Sequence, residues 1–484
     1  MSWLAGTLEL TSKVRYGLTS RGVPLFRFVP YDKRYSTYSV GCSMRDLSKN
    51  QHVIIEPVSS SDEQLKVQKQ QQQQPKGILI QNFGPPTVET EKQLLLATYA
   101  YDSQKDLRKP PVDLKFGEPL VPEPSPRTTV TQGFTFHIDP PGCRDVDDSF
   151  TFIRCKDFWK VYINIADVAA WIPTDSTMNT FASQRTTTFY STEGKALAPM
   201  LPLALSEGQA SLLPGELKPT LSLTFDWYPG KPIDSFRFIE TMTQTTMSFT
   251  YEQASDTVLS ELKALRQLAV EYGGVHTDSH TWVQIMMLMY NEQAGMLLHS
   301  HKKGILRRHS APKKEKLEMI SALNDPTLLI LAYEAAEYCL ATDDSYHYGL
   351  DKSTYAYASS PLRRYADLVN QRLLKAILNF TINRTAAPSA ELVEYLNRRQ
   401  KQAKAFTRDM FFITVLSSTT TSSVRGKIID KKDSTLRIWV PAWKRIIKTR
   451  SDIGVLYDTV DISWYDNRES PRWKERMVFR LTVV

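Results

Sequence analysis

Cysteine is scarce: Cys42, Cys143, Cys155 and Cys339 are the four in 484 residues, and none forms a Cys-x-x-Cys pair. That spacing fits neither a zinc site nor a dense disulfide framework, so reduced thiols are expected. No apolar run approaches the roughly 18 residues that a transmembrane helix needs. The opening MSWLAGTLELTSK lacks a basic start followed by a long apolar run, so no secretory signal is expected. Internal repeats at solenoid periods are missing as well. These absences predict a soluble, cytoplasmic protein with no membrane partner.

What the chain does have is core-forming material, aromatic rings and positive charge. Hydrophobic residues make up 42% and aromatics 11%, and the formal net charge is +8. Such a balance favours polyanionic partners, nucleic acid among them, without proving one.

The pattern divides the chain into five parts. Residues 1–58 read as short strands (GVPLFRFVP, HVIIEPV) of a small OB-like β domain. Residues 59–75 carry a glutamine run, Gln70–Gln74, that buries no apolar surface and reads as a linker. Residues 76–127 start with a strand, GILI, continue through a helix over Glu89–Leu96, and end in a Pro-rich connector; they read as a second small OB-like unit. Residues 128–410 are the largest block, with helices expected at 282–301, 361–378 and 396–412. The second of these opens on Pro361 at a first helical position, and the third is strongly basic. Residues 411–484 return to strands and read as a C-terminal OB-like domain. The fold class is α+β and multidomain.

The sharpest feature is HIDPPGCRDVDDSF, residues 137–150, where Asp139, Asp145, Asp147 and Asp148 crowd together. Like charges this close repel unless cations or basic groups neutralise them. A turn that gathers carboxylates beside an apolar strand suits Mg²⁺, which takes carboxylate, water and phosphate oxygens. Two such ions can stabilise both oxygens of a phosphodiester displacement. An acidic surface loop explains the same composition equally well. An EF-hand does not, because the sixth and twelfth positions hold no Gly and no Glu.

A second motif, HYGLDKSTYAYASSPLRRYADLVNQRL (347–373), settles which family the chain resembles. With the aspartate cluster it is similar to the signature of the ribonuclease II/ribonuclease R catalytic domain. INIADVAAWI (163–172), RTTTFY with PMLP (185–202) and LNRRQKQAKAFTRD (396–409) follow the same family's order. The resemblance implies a mixed α/β catalytic domain flanked by small OB-like barrels. It implies a 3′→5′ exoribonuclease that hydrolyses single-stranded RNA to nucleoside 5′-monophosphates, with Mg²⁺, or Mn²⁺ in its place, as cofactor. The expected assembly is a monomer able to join an RNA-decay complex. A non-catalytic RNA-binding regulator on the same fold is the alternative, and a metal-dependent DNase a further one.

Position by position, the resemblance makes Asp139, Asp145, Asp147 and Asp148 the metal-site aspartates. Arg363 becomes the guanidinium at the scissile phosphate. Tyr190 and Tyr251 become aromatic contacts for the terminal nucleotides, with Arg364 a further RNA contact. Ordinary packing explains Tyr251 nearly as well, and His309 and His347 are expected to pack rather than ligate. The chain departs from its relatives at Tyr357-Ala358-Ser359-Ser360-Pro361-Leu362 and at Gln371, where a histidine is usual. These departures bear on the shape of the RNA channel.

Overall fold

The computed structural model describes residues 3–58, 74–101, 109–111, 126–273, 278–321, 326–380, 385–417, 423–467, 470–471 and 473–483. Nearly all of the expected linker 59–75 and most of the connector 105–127 lie outside them.

The first strands are β1 (Leu4–Glu9), β2 (Leu25–Pro30), β3 (Tyr38–Gly41), β4 (Gln51–Pro57) and β5 (Lys76–Gly84). They close into a barrel in the order β1-β2-β3-β5-β4, filled by Leu8, Phe26, Phe28, Val40, Val53 and Ile55. Gly6 lets β1 and β2 meet: a Cβ there would collide with the Val29 carbonyl oxygen. This barrel corrects the division expected at residue 58. Strands β1–β4 alone leave two open edges, and β5 seals both, parallel to β3 and antiparallel to β4. No second barrel forms among the described residues of 76–127. Instead the chain continues into α1 (Val88–Leu95), capped by the Thr87 side chain. Leu94 and Leu95 of α1 enter a core shared with the C-terminal strands.

The central sheet has the order β14-β7-β8-β9-β12-β13-β6. Its strands are β6 (Thr128–Thr129), β7 (Phe134–Ile138), β8 (Asp148–Arg154), β9 (Trp159–Ala166), β12 (Leu217–Trp227), β13 (Arg237–Gln244) and β14 (Met247–Phe249). Two short pairs flank it, β10 (Phe189–Tyr190) with β11 (Ala196–Ala198), and β15 (Ile305–Arg308) with β16 (Glu337–Leu340). One face carries Phe136, Phe150, Ile163 and Leu223 into the main core. The other face carries hydroxyls and an amide, and it is buried too. Those groups satisfy one another in a chain across five strands. Thr135 bonds Thr151, Asn164 bonds Thr151 and Ser222, and Ser222 and Thr220 both bond Thr241.

Helices α2 (Thr177–Arg185), α3 (Tyr251–Asp256), α4 (Ser260–Gly273), α5 (Ser279–Ser300) and α6 (Tyr365–Ile377) belong to the same block. The helix expected at 282–301 is α5. The helix expected from Pro361 starts later, with Arg364 as its N-cap, because residues 361–363 form a tight turn.

Helix α7 (Ala390–Ser417) runs through the boundary expected at 410. It ties the units together rather than presenting a plain basic face. Arg399 is fully buried and donates to the Tyr99 and Ala100 carbonyls at 2.8 and 2.9 Å. Asp409 accepts from the hydroxyls of Tyr31 and Tyr99, both at 2.7 Å. Beyond it lie β17 (Val424–Lys432), β18 (Thr435–Val440), β19 (Arg445–Arg450), β20 (Thr459–Asp466) and β21 (Met477–Val483). Their order, β19-β18-β17-β20-β21, is the N-terminal barrel's order opened between its third and fifth strands. The α+β multidomain architecture with OB-like flanks is as expected. Among the described residues no helix is long and apolar enough to cross a membrane.

Candidate active site

The acidic cluster is a loop between two strands of the central sheet. It leaves β7 after Ile138 and turns at Pro140-Pro141-Gly142, where Gly142 has a φ of 80° that favours glycine. It re-enters the sheet as β8 at Asp148. Val146, fully buried, anchors the middle: its N–H donates to Ser211 Oγ at 3.0 Å and its carbonyl accepts from Leu212 N at 3.0 Å. With Val146 pinned inward, the neighbouring aspartates are aimed rather than solvated.

Each aspartate has a different setting. Asp147 is buried and fully engaged: Oδ1 accepts from Leu362 N at 2.9 Å and Oδ2 from Arg363 Nε at 2.7 Å. Burial pushes its carboxyl up to about 7, with the Arg363 charge working against that rise. Asp145 Oδ2 accepts from the Tyr190 hydroxyl. Asp139 Oδ2 is held by His137 Nδ1 at 2.9 Å. Among the described residues, the buried Asp148 Oδ2 has no hydrogen-bond partner. Burial first, and then the charges of Asp139 and Asp147, push the Asp148 carboxyl well above its ordinary range.

Arg363 is placed by the turn that precedes α6. Ser360 N and Arg364 Nη2 both donate to Asp367 Oδ1, at 2.8 and 2.7 Å, which closes the turn. The Arg363 carbonyl accepts from Thr188 N at 3.0 Å and from Thr187 Oγ1 at 2.9 Å. Its guanidinium therefore stands over Asp147 while its side chain stays 42% exposed, so one edge of the fork is free to meet a ligand. Arg364 lies 4.1 Å from the centre of the Tyr357 ring.

Tyr190, Arg363 and Arg364 share a cavity of about 580 Å³ with Tyr338, Tyr357 and Lys404, and Arg445 of the C-terminal sheet also lines it. The Tyr190 hydroxyl is committed to Asp145, so this residue touches both the acidic loop and the cavity. Tyr251 does not line the cavity. It opens α3 with its ring 5.0 Å from that of His280. Burial, followed by the charges of Asp139 and Asp148, pushes its phenol up to about 12.

His309 and His347 pack against one another. Their rings lie 5.2 Å apart, and His309 is satisfied by the Glu334 carbonyl at 2.8 Å and Gly349 N at 3.0 Å. Gln371 is structural: its amide accepts from Ala169 N at 3.0 Å and donates to the Ala166 carbonyl at 2.8 Å, docking α6 on β9. Four participants escaped the sequence reading: His137, Tyr338, Lys404 and Arg445. The only signal for His137 was its place two residues before Asp139.

Among the described residues, no group of three or more His, Cys, Asp or Glu side chains is arranged to hold an ion. Asp147 and Asp145 are engaged by Arg363 and Tyr190. Asp139, held through Oδ2 by His137, and Asp148, whose Oδ2 has no partner among the described residues, form a pair. A pair suits Mg²⁺, which is bound by one or two carboxylates and completes its shell with waters and phosphate oxygens.

The class defined by fold and site is an α+β protein with OB-like flanks and an acidic loop facing a fixed arginine. The family model described as RNB domain matches residues 127–273 and 273–379, just over half of the 484-residue chain. The chain belongs to the RNB domain family. It is 23% identical over 456 residues to exosome complex exonuclease RRP44 homolog A of Arabidopsis thaliana, covering 75% of this chain and 48% of that protein. It is 24% identical over 349 residues to ribonuclease R of Helicobacter pylori, covering 56% and 53%. The chain thus spans about half the length of the curated relatives it matches. In fold it resembles Mycoplasma genitalium RNase R solved with ribose-methylated single-stranded RNA. That match has a TM-score of 0.76 and 15% identity, and covers all of this chain and 90% of the other. It also resembles yeast Ssd1, described as a pseudonuclease, with a TM-score of 0.68 and 16% identity over 96% of this chain and 68% of the other.

Proposed function

We propose that the chain is a metal-dependent 3′→5′ exoribonuclease that hydrolyses single-stranded RNA to nucleoside 5′-monophosphates. The observation that carries this reading is the Asp139–Asp148 pair next to an arginine fixed by Asp147, at the wall of a basic, aromatic cavity. Asp139 and Asp148 would hold Mg²⁺ or Mn²⁺, which supplies a charge clamp for phosphate oxygens and lowers the pKa of water. Arg363, oriented by Asp147 and Ser360, stabilises charge that develops on the phosphate. Tyr190 offers a ring to the terminal base, while its hydroxyl keeps Asp145 turned toward the loop. Arg364 stiffens Tyr357 in the cavity wall, and Lys404 and Arg445 attract the backbone that follows.

The natural partner in this reading is single-stranded RNA. The names of the RRP44 relatives place those proteins in an exosome complex, and a similar decay assembly is proposed here for an otherwise monomeric chain. A cytoplasmic setting is proposed on the free thiols of Cys42, Cys143, Cys155 and Cys339. The test uses matched 5′-labelled RNA and DNA strands, each with Mg²⁺ and with EDTA. Shortening of the RNA alone, in Mg²⁺ alone, supports the reading. A gel shift without shortening favours the rival of a non-catalytic RNA binder, which the likeness in fold to Ssd1 keeps in view. Shortening of DNA as well favours a general nuclease.

A further inference from the structure

We infer that His137 is a positioning residue for metal binding, and that it acts by fixing which oxygen of Asp139 is offered to the ion. The assignment rests on the metal-dependent reading above. His137 sits on β7 with 4% of its surface exposed. Its Nδ1 lies 2.9 Å from Asp139 Oδ2, and its ring makes no other hydrogen bond among the described residues. An Nδ1–H donor there occupies Oδ2, so that a cation is met by the other oxygen of Asp139.

The geometry is built in rather than incidental. Asp139 N donates to the Phe249 carbonyl at 3.0 Å, so the backbone at Asp139 is pinned to β14 while its side chain is steered by His137. Asp139 lies one residue past the end of β7, and its side chain still reaches the ring of His137. A carboxylate held by one oxygen gives a single preferred approach to a hard cation, whereas a freely rotating one loses rotamer entropy on binding. Hydrogen bonds to ligating carboxylates typically control metal affinity by about 10- to 100-fold.

The Nδ1 position separates this role from simple packing. Asparagine places its side-chain N–H close to where His Nδ1 stands, while glutamine reaches toward Nε2 instead. We expect His137→Asn to keep near wild-type Mn²⁺ affinity. His137→Gln and His137→Leu should each weaken it by about tenfold or more. Affinity is measured by calorimetric titration of the full chain with Mn²⁺ in the absence of RNA, and thermal melting checks that each variant is folded. If His137→Leu fails to fold, the comparison of His137→Asn with His137→Gln decides the matter. Equal affinity in wild type and the folded Gln or Leu variants overturns the assignment while leaving the exonuclease reading intact. A wild-type chain that binds no Mn²⁺ overturns the metal-dependent reading, and this assignment with it.

Discussion

At the scale of the residue, the four aspartates were legible but their division of labour was not. The spacing of Asp139, Asp145, Asp147 and Asp148 announces a cluster. It does not say that Asp147 is spent on Arg363, because that contact joins positions 216 residues apart. This pairing makes two predictions. Asp147→Asn keeps the bond from Leu362 N but removes the charge that holds Arg363, so hydrolysis should fall by roughly 100- to 1,000-fold with the fold retained. Near wild-type rates in single-turnover assays would show that Asp147 does not position the arginine. Arg363→Lys keeps the charge but loses the planar fork that spans Asp147 and a phosphate together, so kcat should drop by about 100-fold or more. A fully active lysine variant would reduce Arg363 to a residue of the turn before α6.

Tyr190 belongs to the same scale. Its ring lines the cavity, and base stacking contributes roughly 1–3 kcal/mol per base whatever the base. Tyr190→Ala should weaken the grip on short RNA most, since long strands keep contacts elsewhere. The expected readout is a longer limit product on a denaturing gel, with modest slowing on long RNA. Unchanged limit products would leave Tyr190 as a support for Asp145 and nothing more.

At the scale of the element, strong periodicity was readable and long-range pairing was not. Helix α5 follows from apolar positions at helical spacing. Strand β5 reads in sequence as part of a separate unit because its partners, β3 and β4, lie on the far side of the glutamine run. The alternation in β7, β8 and β12 predicts one apolar and one polar face, and the polar face would ordinarily meet water. Both faces are buried here, because Thr, Ser and Asn side chains satisfy each other, and such mutual pairing leaves no mark in a single strand. Helix α1 shows a further case. Its Glu91 is buried against Arg476 and His52, and burial pushes its carboxyl from 4.5 up to about 7, with Arg476 opposing. A carboxyl whose folded pKa is raised stabilises the fold while protonated. That stabilisation is complete below about 4.5 and is lost as pH rises through about 7. Glu91→Gln does not titrate, so it should gain on wild type in denaturant midpoint as pH rises over that window. A gap between the two that stays constant with pH would show that Glu91 is ionised throughout.

At the scale of the whole molecule, the α+β class and the OB-like character of both ends were legible, while the joints were not. Helix α7 reads in sequence as a basic surface helix, yet Arg399 and Asp409 on it bind the segment after α1 and the N-terminal barrel. Lys404, between them in sequence, faces the cavity instead. One helix therefore joins both flanking units to the wall of the site. The central claim is that this arrangement removes nucleotides singly from a 3′ end. It is tested most directly by chromatography of the first products from RNA labelled in its 3′-terminal nucleotide, with Mg²⁺ present. The account predicts that the label appears at once as a nucleoside 5′-monophosphate, and that EDTA prevents its release. Label that stays in intact RNA, or leaves first in oligonucleotides, would contradict it.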